Sequence, residues 1–496
     1  MDFLTPLVFE PLIVGFGLLI LSPALKRASS AFYVALASTL VSVIFFAFVL
    51  LEFGKEGALW SYGSFSEIHT YPWLPQLGIN VTFGVDGISL PLMLLTVITM
   101  PVVVLSSRHE ITHREPMYYS LLLITEGGVL GVFTSLDLFV FFVFWEAVLI
   151  PMFFLIGIWG GPRREYSAYK FLIYTHVGSV VMLIAIFLAY FSTGSASFSL
   201  ITISKQLSSA TFPTYLKDAI FGALVFGFLV KMPVFPFHTW LPDAHVEAPS
   251  PVSVVLAGLL LKMGGYGMIR LAFEMIPSVA QSYAHIVLAL GVTSAVYGAF
   301  VAYRQTDIKR MVALSSISHM GFVLIGISTL TPVGIVGSVF QMFSHGIVVG
   351  SLFLIAGFIG ESTGTRQIPA LSGLARLIPK TGGLMTFAAL AAVGLPGLSG
   401  FVGEYMIIWG ALSVNVVLGL ITASVMALTA GYFMWMLQRM IFSKPQEGAK
   451  FHDLPLLEVI GLSVFAVLII LVGVYPLVLQ QYIAPTVKLI VNLAGW

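Results

Sequence analysis

The chain has 496 residues, of which 58% are hydrophobic and 9% charged, and its formal net charge is +1. A water-soluble domain carries about 25% charged residues, so this composition excludes a soluble globular protein and indicates an integral membrane protein with no basic surface for nucleic acid. Cysteine is absent, which excludes disulfides, thiolate metal sites, cysteine-ligated iron–sulfur clusters and c-type haem attachment.

A membrane span needs about 20 mainly apolar residues. Fourteen such segments follow one another: 7–25, 31–52, 87–107, 117–135, 138–159, 167–192, 217–240, 250–274, 281–303, 311–330, 332–358, 382–412, 414–442 and 456–482. Asp2 and Glu10 with no basic flank make the first a spanning helix rather than a cleaved signal. The apolar stretch from Met311 to Phe358 is too long for one helix, so Thr331-Pro332 divides it in two. The longest stretches expected outside helices are 53–86 and 193–216. Fifteen Lys and Arg, from Lys26 and Arg27 through Lys450, fall in the loops after odd-numbered spans, against four (Lys55, Lys205, Lys217 and Arg270) at the other ends. Positive residues stay inside, which predicts an N-terminus outside. The loop from His238 to Ser250 has no Lys or Arg and leaves that rule silent.

Nine ionisable residues fall within the spans: Lys170, Lys231, Lys262, Glu126, Glu146, Glu404, His176, His319 and His345. One charge at mid-bilayer costs at least ~2.5–3.5 kcal/mol. A single such residue is readily an ion pair that fixes packing, whereas nine spread over many helices point to an ion path. The residue types suit protons. Burial and neighbouring charges move lysine and glutamate towards neutral titration, a Glu–Lys pair that forms and breaks switches the lysine, and histidine shuttles.

Proline removes a backbone donor and breaks a helix, which at membrane depth is tolerated where the freed groups are buried in protein or line a cavity. Pro233 and Pro236 break the seventh helix beside Lys231. Gly394-Leu395-Pro396-Gly397 breaks the twelfth, before Glu404. Broken helices five apart mark inverted repeats. The fold class predicted is an all-α polytopic membrane protein, about fourteen transmembrane helices, with two inverted five-helix repeats (helices 4–8 and 9–13). The units are 1–116 (helices 1–3), 117–276, 277–445 and 446–496 (the last helix).

Four stretches carry a family likeness: "FFVFWEAVLIPMFFLIGIWGG" (141–161), "KMPVFPFHTWLPDAHVEAPSPVSVVLAGLLLKMGGYGMIR" (231–270), "DIKRMVALSSISHMGFVLIG" (307–326) and "GLPGLSGFVGEYMI" (394–407). Together they closely resemble the antiporter-like subunits of complex I, the proton-translocating NADH–quinone oxidoreductase, of the subunit M (chain 4) type. The likeness spans roughly residues 80–445. It implies that Glu146 pairs with Lys231, that Lys262 joins two half-channels, that His319 and His345 relay protons, and that Glu404 is the exit-side acid. Related subunits carry lysine at this last position, so glutamate favours type M. Lys170, in "AYKFLIYT", matches a lysine of less defined role, and the likeness assigns nothing to Glu126 or His176. It further implies a translocase subunit with no catalytic redox site of its own. NADH, flavin, iron–sulfur clusters and quinone are expected in partner subunits, and the partners are neighbouring membrane subunits and the lipid bilayer. The location implied is a bacterial or archaeal cytoplasmic membrane, or an equivalent energy-transducing one.

The alternatives share the fold or the residues. A cation/proton antiporter subunit, or a subunit of a membrane hydrogenase or deazaflavin-dependent dehydrogenase, would carry the same motifs. His319 and His345 on neighbouring helices are a possible haem pair. His238, Asp243, His245 and Glu247 have zinc-ligand types at uninformative spacing. A polar proton entrance, or packing against a neighbour, suits that loop better.

Overall fold

The structure is a computed structural model that describes residues 2–22, 28–55, 65–209, 211–445 and 451–496. Of the basic residues counted above, Lys26, Arg27 and Lys450 lie outside the described residues, as does the Lys55 side chain. In a bilayer each backbone N–H and C=O must pair within the protein. The apolar runs do so as helices α1 (Leu4–Leu21), α2 (Ala28–Lys55), α3 (Ser89–Glu110), α4 (Glu115–Thr134), α5 (Leu138–Trp159), α6 (Arg164–Thr193), α7 (Leu200–Leu207), α8 (Thr214–Lys231), α9 (Trp240–Glu247) and α10 (Ser250–Phe273). There follow α11 (Pro277–Tyr303), α12 (Ile308–Ser328), α13 (Pro332–Thr363), α14 (Pro379–Ala392), α15 (Ser399–Val414), α16 (Val416–Met440), α17 (Leu456–Val474) and α18 (Leu477–Ala494).

Thirteen helices among the described residues are long and apolar enough to cross a membrane. Twelve of them coincide with expected spans, and the thirteenth is α18. The two remaining expected spans, 217–240 and 382–412, are each split, into α8 and α9 and into α14 and α15. Local chemistry sets several boundaries. The Asp137 carboxylate accepts from the N–H groups of Phe139 and Val140 and starts α5, and Asp307 starts α12 through the Arg310 N–H. Thr331 caps α13 through the Gly334 N–H with Pro332 in the first turn, which separates α12 from α13.

Three expectations need correction. The stretch 53–86 holds an antiparallel hairpin, β1 (Ser66–Leu74) and β2 (Ile79–Val85), and 193–216 holds α7, so among the described residues the fold is helical apart from this one hairpin. Gly78 closes the hairpin with φ +68°, and a Cβ there would overlap the Ala196 carbonyl. The last span ends at Val474 rather than 482, because Pro476 follows the helix end and α18 turns away. Leu479, Ile483, Val487, Ile490 and Val491 form its buried stripe. It lies across the face that carries the hairpin, where Thr486 Oγ1 accepts from the Gly87 N–H at 3.1 Å and the Trp496 indole reaches the Pro277 carbonyl at 3.4 Å. Finally, the segment read as a loop from His238 to Ser250 is mostly α9, packed against α6 and α12.

The core sits where the ionisable residues are. The apolar windows of α10 and α12 are 100% buried by protein and that of α13 is 94% buried, against 33% for α1 and α2. The more exposed helices thus surround a central set whose apolar windows are almost wholly covered by protein.

Candidate functional site

The first break follows from its sequence. Helix α8 stops at Lys231, the chain runs irregularly through Pro233 and Pro236, with a cis Phe235–Pro236 peptide, and α9 resumes at Trp240. The groups freed by the break are met by protein. The Trp240 indole N–H donates to the Val230 carbonyl at 3.0 Å, and the Phe235 N–H donates to Ser294 Oγ at 3.2 Å. Lys231 is fully enclosed at the lip of this break. Its Nζ has no hydrogen-bond partner among the described residues and sits 5.4 Å from the Trp145 ring centroid and 5.9 Å from that of Phe171. The Trp145 indole is itself fixed by a 3.0 Å bond to Ser179 Oγ. Glu146 is near enough to act on Lys231 through its field, but the two form no ion pair. Glu146 Oε2 instead meets His176 Nδ1 of α6 at 3.0 Å, and its Oε1 is buried without a partner.

The second break brings four of the singled-out residues into one line. Lys262 Nζ lies 2.7 Å from His345 Nδ1 and also donates to the Ala257 carbonyl. The His345 and His319 rings are edge-to-face with centroids 5.4 Å apart. His319 Nε2 lies 3.5 Å from Glu404 Oε1, which also faces Gln341 Nε2 at 3.4 Å. All four are buried, with 0–3% of their surface exposed. Each imidazole keeps one nitrogen, His345 Nε2 and His319 Nδ1, without a hydrogen bond to the described residues. A neutral imidazole both gives and takes a proton, so each ring can pass one across itself. The gap beside them, lined by Gln341, Ser344, Gly400 and Glu404, has a volume of only about 10 Å³, far too little for a porphyrin, so the two histidines do not fit a haem pair.

Backbone geometry holds this line together. Gly394 turns the chain after α14 with φ +79°, and a Cβ there would stand 2.8 Å from Glu404 Oε2. Ser344 Oγ donates to Ser399 Oγ at 2.8 Å, tying α13 to the first residue of α15. Pro396 lies within the break at the protein surface. On α10, Lys262 stands between two π-helical stretches, Leu256–Leu260 and Met268–Phe273. Such stretches widen the helix, leave carbonyls off the regular ladder and gather at functional positions; the Ala257 carbonyl that receives Lys262 belongs to the first. Sequence reasoning missed both, although Gly258, Gly264 and Gly265 nearby were a usable signal of irregular, close packing. Gly264 admits the Met232 backbone of the first break against α10.

On the face opposite the hairpin, a cavity of about 770 Å³ opens above α9, lined by Glu110, Glu247, Lys309, Glu361 and Arg366. The Glu110 carboxylate accepts the Ser250 N–H at 3.0 and 3.2 Å, and Lys309, counted above as a loop residue, is buried and donates to the Ala248 carbonyl. Neither was singled out from sequence. Lys170 pairs with Asp243 of α9 at 2.7 Å, and the Arg163 backbone N–H reaches Glu247 at 2.8 Å. Two of the four suspected zinc ligands, Asp243 and Glu247, are thus held by other partners, and His245 stacks on Phe353; among the described residues no three His, Asp or Glu group as metal ligands. Glu126 stands apart on α4, buried, with neither carboxyl oxygen bonded to a described residue.

Comparison with known proteins matches these positions to a defined group. A family described as NADH:quinone oxidoreductase/Mrp antiporter, TM, matches residues 135–429, which include every member of both clusters. F(420)H(2) dehydrogenase subunit M of Methanosarcina mazei is 39% identical over 430 residues, covering 85% of this chain and 86% of that protein. NADH-quinone oxidoreductase subunit M of Rickettsia conorii is 38% identical over 474 residues, covering 95% and 94%. A chain in the structure of respiratory complex I from Thermus thermophilus with bound NADH superposes with a TM-score of 0.88 at 31% identity, over 99% of this chain and 100% of that one.

Proposed function

Because the chain belongs to the NADH:quinone oxidoreductase/Mrp antiporter transmembrane family, we propose that it is the subunit M-type proton-translocating module of a redox-driven NADH–quinone oxidoreductase. The observation that carries this reading is the line of neighbouring groups Lys262–His345–His319–Glu404, with Lys231 unpaired at the other break. Protons would enter from the basic-residue face through the large cavity and the α9 region, load Lys231, cross by Lys262 and the two histidines, and leave by Glu404. Glu146 would set the hold of Lys231 on its proton by approaching or withdrawing. The two broken helices would belong to the inverted units 117–276 and 277–445, with the N-terminus outside.

Moving one charge against 100 mV takes ~2.3 kcal/mol, and nothing in this chain supplies it. We therefore assign the NADH, flavin, iron–sulfur and quinone chemistry to partner subunits, which the absence of cysteine agrees with. The chain would be a translocase component with no redox step of its own. The test is Lys231→Ala and Glu146→Ala in the assembled complex, reconstituted in liposomes. Both are expected to abolish proton transfer; normal pumping in either would defeat the mechanism. Mass spectrometry of the complex drawn from native membranes through a tag on this chain separates the second reading. Copurifying iron–sulfur and quinone-site proteins support the respiratory assignment, whereas only small membrane proteins would make it an antiporter subunit.

A further inference from the structure

The reading above leaves His176 without a task, yet it is the one group that holds the Glu146 carboxylate. The imidazole Nδ1 is 3.0 Å from Glu146 Oε2. The acid's other oxygen is buried and unbonded, and the buried Lys231 ammonium is unbonded as well. Two groups of opposite charge thus stand near each other, each with a vacancy, while a third residue keeps them apart. We propose that His176 is a second docking position for Glu146, a latch on α6 that holds the carboxylate in its withdrawn position and leaves Lys231 without its counter-charge. This rests on the relay reading and supplies its missing element, namely what the acid binds when it is not on the lysine.

The physical case is one of two competing sites for one carboxylate. Withdrawal of Glu146 with no partner would leave a half-buried charge uncompensated, at a cost. An imidazole N–H removes most of that cost, and a protonated imidazole more still. The withdrawn state therefore becomes populated without outside help. With the acid on His176, Lys231 faces only the Trp145 and Phe171 rings, a costly position for an unpaired ammonium and one that favours handing its proton on. The helices packed against α6 bring few charged groups to this side: Glu146 on α5, Lys231 at the end of α8 and Asp243 on α9, and Lys170 lies on α6 itself, where Asp243 already engages it at 2.7 Å. Glu146 is thus the free acid within its reach. The His176 side chain is 56% exposed, and imidazole is the side chain whose charge ordinarily changes between about pH 5 and 8, so a pH profile is the readout for the latch.

The experiment is redox-driven pumping by the purified complex in liposomes, recorded from pH 5.5 to 8.5 for His176→Phe, His176→Gln and Glu146→Ala. His176→Phe is expected to slow pumping about tenfold, the effect of losing one charge-assisted hydrogen bond. It should also remove one ionisation from the pH profile. His176→Gln, which keeps a donor, should recover the rate while still lacking that ionisation. Wild-type rate and profile in His176→Phe overturn the latch. So does a slowed His176→Phe that keeps the ionisation, since the histidine would then be a packing group only. If His176→Phe does not assemble, the profile of His176→Gln decides alone, and an unchanged ionisation there overturns the latch too. Glu146→Ala separates the two levels: normal pumping there defeats the relay itself, whereas its loss together with an unaffected His176→Phe defeats the latch alone.

Discussion

Replacing His345 by leucine tests the relay at its centre. The side chains are of similar bulk, so α13 keeps its packing, while the polar bridge from Lys262 towards His319 is lost. Lys262 Nζ lies 2.7 Å from His345 Nδ1, and the His319 ring centre is a further 5.4 Å beyond that of His345. Without the bridging ring the lysine and His319 are separated by more than one hydrogen-bond length. A hydrogen bond involving a charged partner contributes about 1.5–3 kcal/mol. If that stabilisation is lost from the transferring state, at 1.36 kcal/mol per factor of ten the rate falls roughly 10- to 100-fold. The assay is dye-reported proton uptake by liposomes containing the purified complex, with quinone reduction measured on the same sample. The expected outcome is slow pumping, complete assembly, and a partial return in His345→Gln. Protons pumped per quinone reduced at the wild-type rate in His345→Leu would refute the line of contacts as a proton path.

Gly394→Ala should both destabilise the second break and disturb Glu404, because a left-handed conformation costs a residue with a side chain roughly 1–2 kcal/mol and the new methyl group would meet the carboxylate at 2.8 Å; thermal unfolding and pumping should fall together, and an unchanged pair of values counts against the geometry. For Lys170, the pair with Asp243 distinguishes a tether from a proton carrier: Lys170→Arg keeps the charge but cannot release a proton, so wild-type pumping in that variant identifies a tether and a Lys170→Met-like loss identifies a carrier. Asp453 grips the start of α14 through the N–H groups of Lys380 and Thr381 at 2.9 and 3.0 Å. Burial opposes its ionisation, but the Thr381 hydroxyl and the backbone N–H groups of Lys380, Thr381 and Leu454 outweigh it and hold its titration below the ordinary 3.8. A lowered value means that its contribution is full above the unfolded-state titration and fades as pH falls through the folded one. Asp453→Asn should therefore lower the melting temperature of the detergent-solubilised complex at pH 7, with the difference nearly constant down to pH 4 and shrinking as pH falls below 3.8; a gap that widens on acidification contradicts the sign.

Much of the site was legible because charge is so costly in a bilayer. Lysines inside apolar runs stand out at once, and proline or paired glycine beside them marks where a helix opens. Lys231, Lys262, His319, His345 and Glu404 were therefore found from residue type and depth, and four of them meet. Their contacts were not legible, since 83 residues separate Lys262 from His345 and only packing brings them together. The failures have separate causes. The hairpin alternates over short strands, a weaker pattern than a 20-residue apolar run, although "INVTFGV" beside Gly78 carries strand residues and a turn. Pro242 and the polar residues around it made α9 look like a loop; buried among helices, it folds as two helical turns. An apolar run continuing past Pro476 masked the start of α18. Glu110 and Lys309 sit at helix ends, where charges are ordinary, and nothing in the sequence says that these two are enclosed. His176 looked incidental because its partner lies 30 residues away on another helix.

The widened turns of α10 have a consequence for how this protein tolerates change in length. A π-helical stretch is the trace of one residue in excess of what a regular helix accommodates. The widened turn absorbs that excess, so the residues on either side keep the facing a regular helix would give them. A one-residue deletion between 256 and 260 would restore the regular ladder and take the Ala257 carbonyl away from the Lys262 amine, while leaving Lys262 on the face that meets His345. A deletion in the regular turns between 261 and 267 has no such slack, and the residues beyond it would swing by about 100°. Sequence lineages of this module should therefore accept single-codon losses within Leu256–Leu260 more readily than within the turns that follow.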